Sequence, residues 1–325
     1  MKRVLVTGHR GFTGRHLTEY LRSQGFEVTG LSRSSGCDIR EPGAVRSVVQ
    51  AAQPEVVYHL AAAPRSADSA ETWSINVDGT AALLDALLEL PRQPVVVLVS
   101  SSAVYGRTTG RPISERRRPH PVTPYGASKL AAEEIAGGYS SPEGLRVIRA
   151  RTFNLLGPGL SRDLAPGAFA AAVADREHQA SPGPIRTGNL ASVRDYTDVR
   201  DVVRAYVLLA ERGRAGSVYN VCSGRAVSLD HCLRTLIGFA AQPLATELDP
   251  ARLQANDVPA QVGNPTRLRR LTGWEPRIAV EQALADMLDY ERGKGGDEGN
   301  RSGGRQGDEA RPVHDRLSEA ARTDR

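Results

Sequence analysis

Tyr125 and Lys129 lie four residues apart in Pro124-Tyr125-Gly126-Ala127-Ser128-Lys129, within a stretch whose spacing predicts a helix over 124–138. Residues at that separation share one helical face. An ammonium beside a phenol favours the phenolate and lowers a pKa that is otherwise about 10, so the phenol can give or take a proton near neutral pH. The chain has only three lysines, Lys2, Lys129 and Lys294, so this pairing does not come from lysine abundance. Upstream, Val95-Val96-Val97-Leu98-Val99 runs into Ser100-Ser101-Ser102. A buried strand of this kind ends at the carboxyl edge of a parallel sheet, where ligands bind, and a serine hydroxyl there can hold a substrate oxygen against Tyr125.

A second constellation sits at the start of the chain. Thr7-Gly8-His9-Arg10-Gly11-Phe12-Thr13-Gly14 follows an apolar strand and opens a helix. Glycines at 8, 11 and 14 allow a tight turn whose backbone N–H groups and helix N-terminus face a pyrophosphate. An NAD site needs a carboxylate at the end of the second strand for the ribose 2′-hydroxyl. That place reads Gly30-Leu31-Ser32-Arg33-Ser34 and holds no acid. Arg33, with Arg10 inside the loop, suits a 2′-phosphate, so NADPH is the expected cofactor, with NADH the second choice. The plain alternative for Arg33 is a solvated surface arginine. Asp38 and Ile39 suit the edge and face of an adenine.

The elements that must position these groups follow from periodicity. Apolar strands are expected at 3–7, 27–31, 56–60, 95–100 and 146–151. Helices are expected at 14–23, 42–53, 72–90 and 124–138. Short continuous apolar strands alternating with helices describe an α/β chain, a doubly wound parallel sheet covered on both faces. Beyond Asn154 proline and glycine become frequent, which marks a smaller substrate-binding lobe. The expected organisation is a dinucleotide-binding unit over 1–155 to which the chain returns at about 197–222, and a lobe made of 156–196 and 223–292. Residues 293–325 carry seven basic and seven acidic groups with many glycines and are expected to form a disordered tail.

Composition narrows the class. The 325 residues are 40% hydrophobic and 24% charged, ordinary for a globular chain of about two domains. The net charge of +5 comes from 42 basic residues, 39 of them arginine, without a basic stripe interleaved with aromatics, so a nucleic-acid partner is not expected. Cys37, Cys222 and Cys232 form no CxxC pair and are odd in number, which argues against a disulfide scaffold and for a reducing compartment, and no metal is expected. No window approaches the length of a membrane span, and the opening Met1-Lys2-Arg3 leaves no room for a signal peptide. A cytoplasmic location is expected.

Taken together, the Thr7–Gly14 loop, His59-Leu60-Ala61-Ala62, the Asn76 of Ile75-Asn76-Val77-Asp78-Gly79-Thr80, Ser100-Ser101-Ser102-Ala103-Val104-Tyr105-Gly106 and the Tyr125/Lys129 pair resemble the extended short-chain dehydrogenase/reductases, the NAD-dependent epimerase/dehydratase family, that act on nucleotide sugars. The resemblance spans about residues 1–292. It implies Ser101, Tyr125 and Lys129 as the catalytic trio, Lys129 also holding the nicotinamide ribose. It implies Leu60, Ala61 and Ala62 on the cofactor and Asn76 on its nicotinamide side. His59 and His120 read as structural, since the tyrosine already supplies the proton.

Motifs in the second half are similar to those of the GDP-4-keto-6-deoxy-D-mannose reductases. They are Arg151-Thr152-Phe153-Asn154, Ile185-Arg186-Thr187-Gly188-Asn189, Val193-Arg194-Asp195-Tyr196, Val218-Tyr219-Asn220, Asp257-Val258-Pro259 and Leu271-Thr272-Gly273-Trp274. Substrate contacts are thereby implied for Ser102, Asn154, Asn189 and Asp257, with Arg194 and Arg186 on the diphosphate. The implied activity is NADPH-dependent reduction of a nucleotide-linked 4-keto-6-deoxyhexose, GDP-4-keto-6-deoxy-D-mannose to GDP-D-rhamnose, by a homodimer joined through the helices at 72–90 and 124–138. Two departures bear on this. Related 4,6-dehydratases carry a carboxylate where this chain has Ala103, and a methyl group cannot remove a proton, so dehydration is not expected. GDP-sugar relatives have Arg-Pro before the acid where this chain reads Gln254-Ala255-Asn256-Asp257, so GDP is less fixed than the reaction. A 4-epimerase retaining NAD, a dTDP-4-ketohexose reductase of a deoxysugar pathway, and a non-catalytic NADP(H)-binding protein remain as alternatives.

Overall fold

The valine- and leucine-rich runs are apolar on both sides, so each must be covered on both faces. The computed structural model describes residues 2–63, 67–108, 111–140, 144–177, 179–253 and 258–302. In it the chain alternates β1 (Arg3–Thr7), α1 (Phe12–Ser23), β2 (Glu27–Leu31), α2 (Pro42–Ala52) and β3 (Val56–His59). There follow α3 (Ser69–Trp73), a π turn (Ser74–Asp78), α4 (Gly79–Leu88), β4 (Val95–Ser101), α5 (Pro124–Gly138), β5 (Arg146–Thr152) and β6 (Asn154–Leu156). The remainder is α6 (Ala165–Glu177), β7 (Ile185–Thr187), β8 (Val193–Arg194), β9 (Tyr196–Asp198), α7 (Val199–Arg212), β10 (Val218–Val221), β11 (Val227–Ser228), α8 (Leu229–Gly238), β12 (Thr246–Leu248), β13 (Ala260–Gln261), α9 (Thr266–Thr272) and α10 (Val280–Ser302).

Six strands form one parallel sheet in the order β10-β5-β4-β3-β1-β2. The order reverses between β1 and β3, which opens a crevice at their carboxyl ends. The register Thr7↔His59 and Ser101↔Thr152 puts the glycine loop and the serines on that same edge. One face of the sheet is covered by α1 and α7, with Leu17, Leu21, Val202 and Tyr206 packed on Val4, Val6 and Ile148. The other is covered by α2, α4 and α5 through Val45, Val49, Leu83, Leu87 and Ala136. A third core gathers α6, α8 and α10 through Phe169, Val173, Leu233, Leu284 and Leu288.

Three features depart from the sequence reading. The helix expected over 72–90 begins at Ser69, capped by the Asp68 carboxylate on the Glu71 N–H, and is interrupted by the π turn. The Thr80 hydroxyl donates to the Asn76 carbonyl at 2.6 Å and competes with the regular helical ladder there. Leu268 and Trp274, expected in the second lobe, instead join the core beside α7, where the Trp274 indole donates to the Asp201 carbonyl at 2.9 Å. The tail expected from Gly293 is helical to Ser302. Lys294 there pairs with Glu291 at 2.8 Å, one turn back, and sits over the Tyr290 ring at 4.6 Å. Residues 303–325 lie outside the described residues. Among the described residues no helix is long and apolar enough to cross a membrane.

Candidate cofactor and active site

The glycine loop is built so closely that side chains are excluded. Gly8 has φ +68°, in the left-handed region, and its N–H donates to the Leu31 carbonyl at 2.8 Å. A Cβ on Gly8 would lie 2.9 Å from the Ala61 nitrogen, and one on Gly14 would lie 2.2 Å from the Gly8 oxygen. Gly11 caps α1 without any side-chain bond, so the first amides of that helix have no side-chain acceptor there. Beside the loop is a cleft of about 500 Å³ lined by Arg10, Gly11, Ser32, Arg33, Ser34, Asp38, Ile39, Ala61 and Ala62, with Leu31, Cys37 and Ile75 behind them. A cradle that any Cβ would fill, helix amides, two arginines and serine hydroxyls fit an anionic dinucleotide.

Some expected cofactor residues are placed differently. The Phe12 ring packs edge-on to His16 and into two of the cores, and the Leu60 side chain packs on the α1/α7 core, so neither side chain faces the cleft. Thr13 is half-buried in the first turn of α1 and is not in the cleft wall. The Asp38 carboxylate is held by Arg40, at 3.0 Å to Nε and 2.6 Å to Nη2, and the Arg40 N–H adds a third bond. These bonds hold its pKa down at about 2. Arg33 is ion-paired at 3.4 Å to both Asp38 and Glu71.

The second half of the site is assembled where α5 meets β4. Thr123 caps α5 by accepting from the Gly126 N–H at 3.1 Å, and Pro124 sits at the first helical position. A Cβ on Gly126 would lie 2.7 Å from the Ala103 oxygen, so the first turn of α5 rests on the turn that follows Ser101. The Lys129 ammonium donates to the Val99 carbonyl at 2.9 Å, two residues before Ser101. Burial lowers the Lys129 pKa to about 8, opposed by the charge of Glu133. Tyr125, one turn earlier and half-buried, and Ser101, half-buried with its hydroxyl accepting from the Ala103 N–H at 3.2 Å, are thus brought to the same edge. Asn76 lies one link behind. Its amide donates to the Ser128 hydroxyl at 2.9 Å, its oxygen accepts from the Ala63 N–H at 2.9 Å, and Ser128 donates to the Tyr125 carbonyl at 2.9 Å. Asn76 therefore ties α5 to the loop after β3, and both ends of its side chain are occupied by protein.

His59 sits between two threonines, with Nδ1 at 2.7 Å from the Thr7 hydroxyl and Nε2 at 2.9 Å from that of Thr80. Full burial, and the nearby charge of Lys129, lower its pKa to about 3. The unfolded imidazole titrates near 6.5, so below that pH the unfolded chain holds one more proton than the folded one, and stability falls as pH falls towards 3. Between pH 6.5 and 5 this contributes a loss of roughly 2 kcal/mol. Urea midpoints of wild type and His59→Gln, compared at about pH 7 and pH 5, should show the smaller drop in the variant; equal drops would remove this role.

On the substrate side the expected residues scatter. Asn154 is half-buried on β6, next to β9. Arg186 is exposed on β7, and Asn189 is exposed with its oxygen accepting from the Ala191 N–H at 3.0 Å. Two predicted contacts are pre-engaged. The Ser102 hydroxyl is buried and donates to Gln261 at 2.8 Å, and the Gln261 amide returns a bond to the Ser102 carbonyl at 3.0 Å. Arg194 donates to the Val258 carbonyl at 2.6 Å and the Val193 carbonyl at 2.9 Å, which joins β8 to the segment before β13. Asp257 lies outside the described residues.

Other residues of the site were not foreseen. Beneath Lys129, Glu133 receives Arg151 at 2.9 Å and 2.7 Å and the Ser100 hydroxyl at 2.5 Å. Asp195 accepts from the N–H and hydroxyl of Ser223, the Gly224 N–H and the Gly263 N–H, fastening two distant segments to its own. Burial pushes its carboxyl up, and those donors oppose the shift. The signals were present. Glu133 is four residues beyond Lys129, and Arg151 is a buried charge near the end of β5, a strand of the sheet covered on both faces.

A model of the NAD dependent epimerase/dehydratase family matches residues 4–222. The chain is 35% identical over 293 residues to GDP-6-deoxy-D-mannose reductase of Pseudomonas aeruginosa, covering 88% of this chain and 96% of that protein. It is 28% identical to GDP-6-deoxy-D-talose 4-dehydrogenase of Aggregatibacter actinomycetemcomitans, with coverage of 88% and 96%. Among solved structures, RMD from Pseudomonas aeruginosa complexed with NADPH superposes with a TM-score of 0.84 at 33% identity, covering 90% of this chain and 100% of that one. With a doubly wound sheet, a glycine-built cleft at its switch point and a tyrosine–lysine turn docked on the neighbouring strand end, the chain belongs to the NAD-dependent epimerase/dehydratase family.

Proposed function

We propose that the chain is an NADPH-dependent oxidoreductase that reduces the C4 ketone of a nucleotide-linked 4-keto-6-deoxyhexose, GDP-4-keto-6-deoxy-D-mannose to GDP-D-rhamnose. The observation that carries this reading is the Tyr125–Lys129 turn stitched to the end of β4 beside a cleft with Arg10 and Arg33 on its wall and no carboxylate closing β2. The printed name of the Pseudomonas relative supports the substrate class, and the NADPH of its solved namesake supports the cofactor.

NADPH, when bound, supplies the hydride that reaches C4. Gly8, Gly11 and Gly14 let backbone and helix amides approach its pyrophosphate, and Arg10 and Arg33 neutralise a 2′-phosphate. Tyr125 donates the phenolic proton to the C4 oxygen as the ketone becomes an alcohol. The Ser101 hydroxyl donates a hydrogen bond to that oxygen and orients it. Lys129, pinned to Val99, places a positive charge that favours the tyrosinate left behind. Ala103 offers no base for a C5 proton, so the chain does not carry out the sugar dehydration that precedes this ketone. The three cysteines are free and buried, in keeping with a reducing, cytoplasmic setting. A homodimer through α4 and α5 is part of the same proposal, supported by the family resemblance and by Leu88, an exposed apolar residue on α4.

The test is loss of NADPH absorbance with GDP-4-keto-6-deoxymannose, generated in place by a dehydratase, run beside dTDP-4-keto-6-deoxyglucose. Turnover with the GDP sugar alone supports the proposal. Turnover with the dTDP sugar alone keeps the mechanism and changes the substrate. No oxidation with either sinks the reductase, and NAD retained through purification would then favour an epimerase.

A further inference from the structure

The adenosine end of the cleft carries a charge arrangement that the cofactor reading does not use. Arg33, mostly exposed at 61%, lies 3.4 Å from Asp38 on one side and 3.4 Å from Glu71 on the other. The two acids are not equivalent. Asp38 is fixed by three bonds to Arg40, a fork and a backbone N–H, so it remains paired whatever Arg33 does. Glu71 comes from a different element, α3, and its side chain's hydrogen bond among the described residues is the long one to Arg33. Its backbone is anchored separately, through the Asp68 cap. The end of β2 offers no carboxylate, so Glu71 is the acid here that is free to change partner.

We infer that Glu71 is a cofactor-selecting residue: a 2′-phosphate must take Arg33 from it, a cost that a free 2′-hydroxyl does not meet, so Glu71 narrows the preference for NADPH over NADH. This rests on the proposed NADPH site. A carboxylate near a phosphate is repulsive, and its pairing with Arg33 must be broken before the guanidinium can serve the phosphate. The Glu71 pair is long and partly solvated, so the effect is of the size of an exposed ion pair, roughly a twofold to fivefold change in NADPH binding.

The experiment titrates NADPH and NADH against the full chain by calorimetry, with adenosine 2′,5′-bisphosphate and 5′-AMP as fragments that report the ribose end alone. In Glu71→Gln, NADPH and the bisphosphate should bind roughly twofold to fivefold tighter while NADH and 5′-AMP bind as in wild type, so the preference rises by the same factor, and the NADPH gain should shrink in high salt. In an Arg33→Gln background the same substitution should give a smaller NADPH gain, since only the direct repulsion between Glu71 and the phosphate is then relieved. A preference that does not move in Glu71→Gln, or that moves equally in both backgrounds, overturns the inference while leaving the NADPH site intact. A wild type that binds NADPH no tighter than NADH overturns the NADPH reading instead. A general structural effect of the substitution would shift both cofactors in one direction, which also overturns it.

Discussion

Tyr125→Phe is expected to lower kcat by about 10²–10⁴-fold while leaving NADPH affinity and the melting temperature near those of wild type. The substitution removes one hydroxyl and keeps the ring. What locates residue 125 is backbone and neighbours: the Thr123 cap, the Ser128 bond to its carbonyl and the Gly126 approach to Ala103 all persist. The lost group is the one placed to protonate the forming alkoxide, so the deficit should fall on kcat and kcat/KM together. Full turnover in Tyr125→Phe would show that another donor protonates the ketone oxygen and would end the assigned roles of Tyr125 and Lys129. The measurement is steady-state oxidation of NADPH with the GDP ketosugar, accompanied by a cofactor titration by fluorescence.

Glu133→Gln is expected to cost roughly 3–5 kcal/mol of folding stability. Glu133 is fully buried and Arg151 is only 6% exposed, so the pair was desolvated on both sides when the fold formed. Arg151 forks onto both carboxylate oxygens and its guanidinium also lies over the Tyr105 ring at 4.8 Å. Removing the negative partner alone strands a buried positive charge. Glu133→Gln with Arg151→Met should recover most of the loss, because the pair is then replaced as a unit. Urea denaturation of the two variants decides this. A single variant as stable as wild type would mean that the buried charge finds another partner. The network also touches the site, since Ser100 precedes Ser101 and Glu133 lies one turn beyond Lys129, so the single variant should lose turnover as well.

Much of the site was legible because its determinants are local. A Tyr four residues before a Lys on a helical pattern faces one way whatever surrounds it. Glycines at 8, 11 and 14 signal a turn that no side chain could enter, and the Gly8 and Gly14 approaches bear that geometry out. Strand ends fell within a residue or two of expectation because a run such as Val95–Ser101 must be buried wherever it lies. What was not legible depended on partners remote in sequence. Asn76, expected to position the nicotinamide side of the cofactor, has Ala63 and Ser128 as protein partners, and no spacing announced them. Trp274 was assigned to the second lobe, but it is needed to close the core beside α7.

The sequence by itself determined the elements, their alternation, the glycine turn and the shared face of Tyr125 and Lys129, because φ/ψ freedom, helical phase and apolar runs act over a few residues. The tertiary structure decided which polar groups are left for a ligand. Ser102 is claimed by Gln261, 159 residues away, Arg194 by the Val258 carbonyl, and Arg33 is shared between Asp38 and Glu71. A buried polar group must be paired, and its partner is whichever distant segment the fold lays beside it.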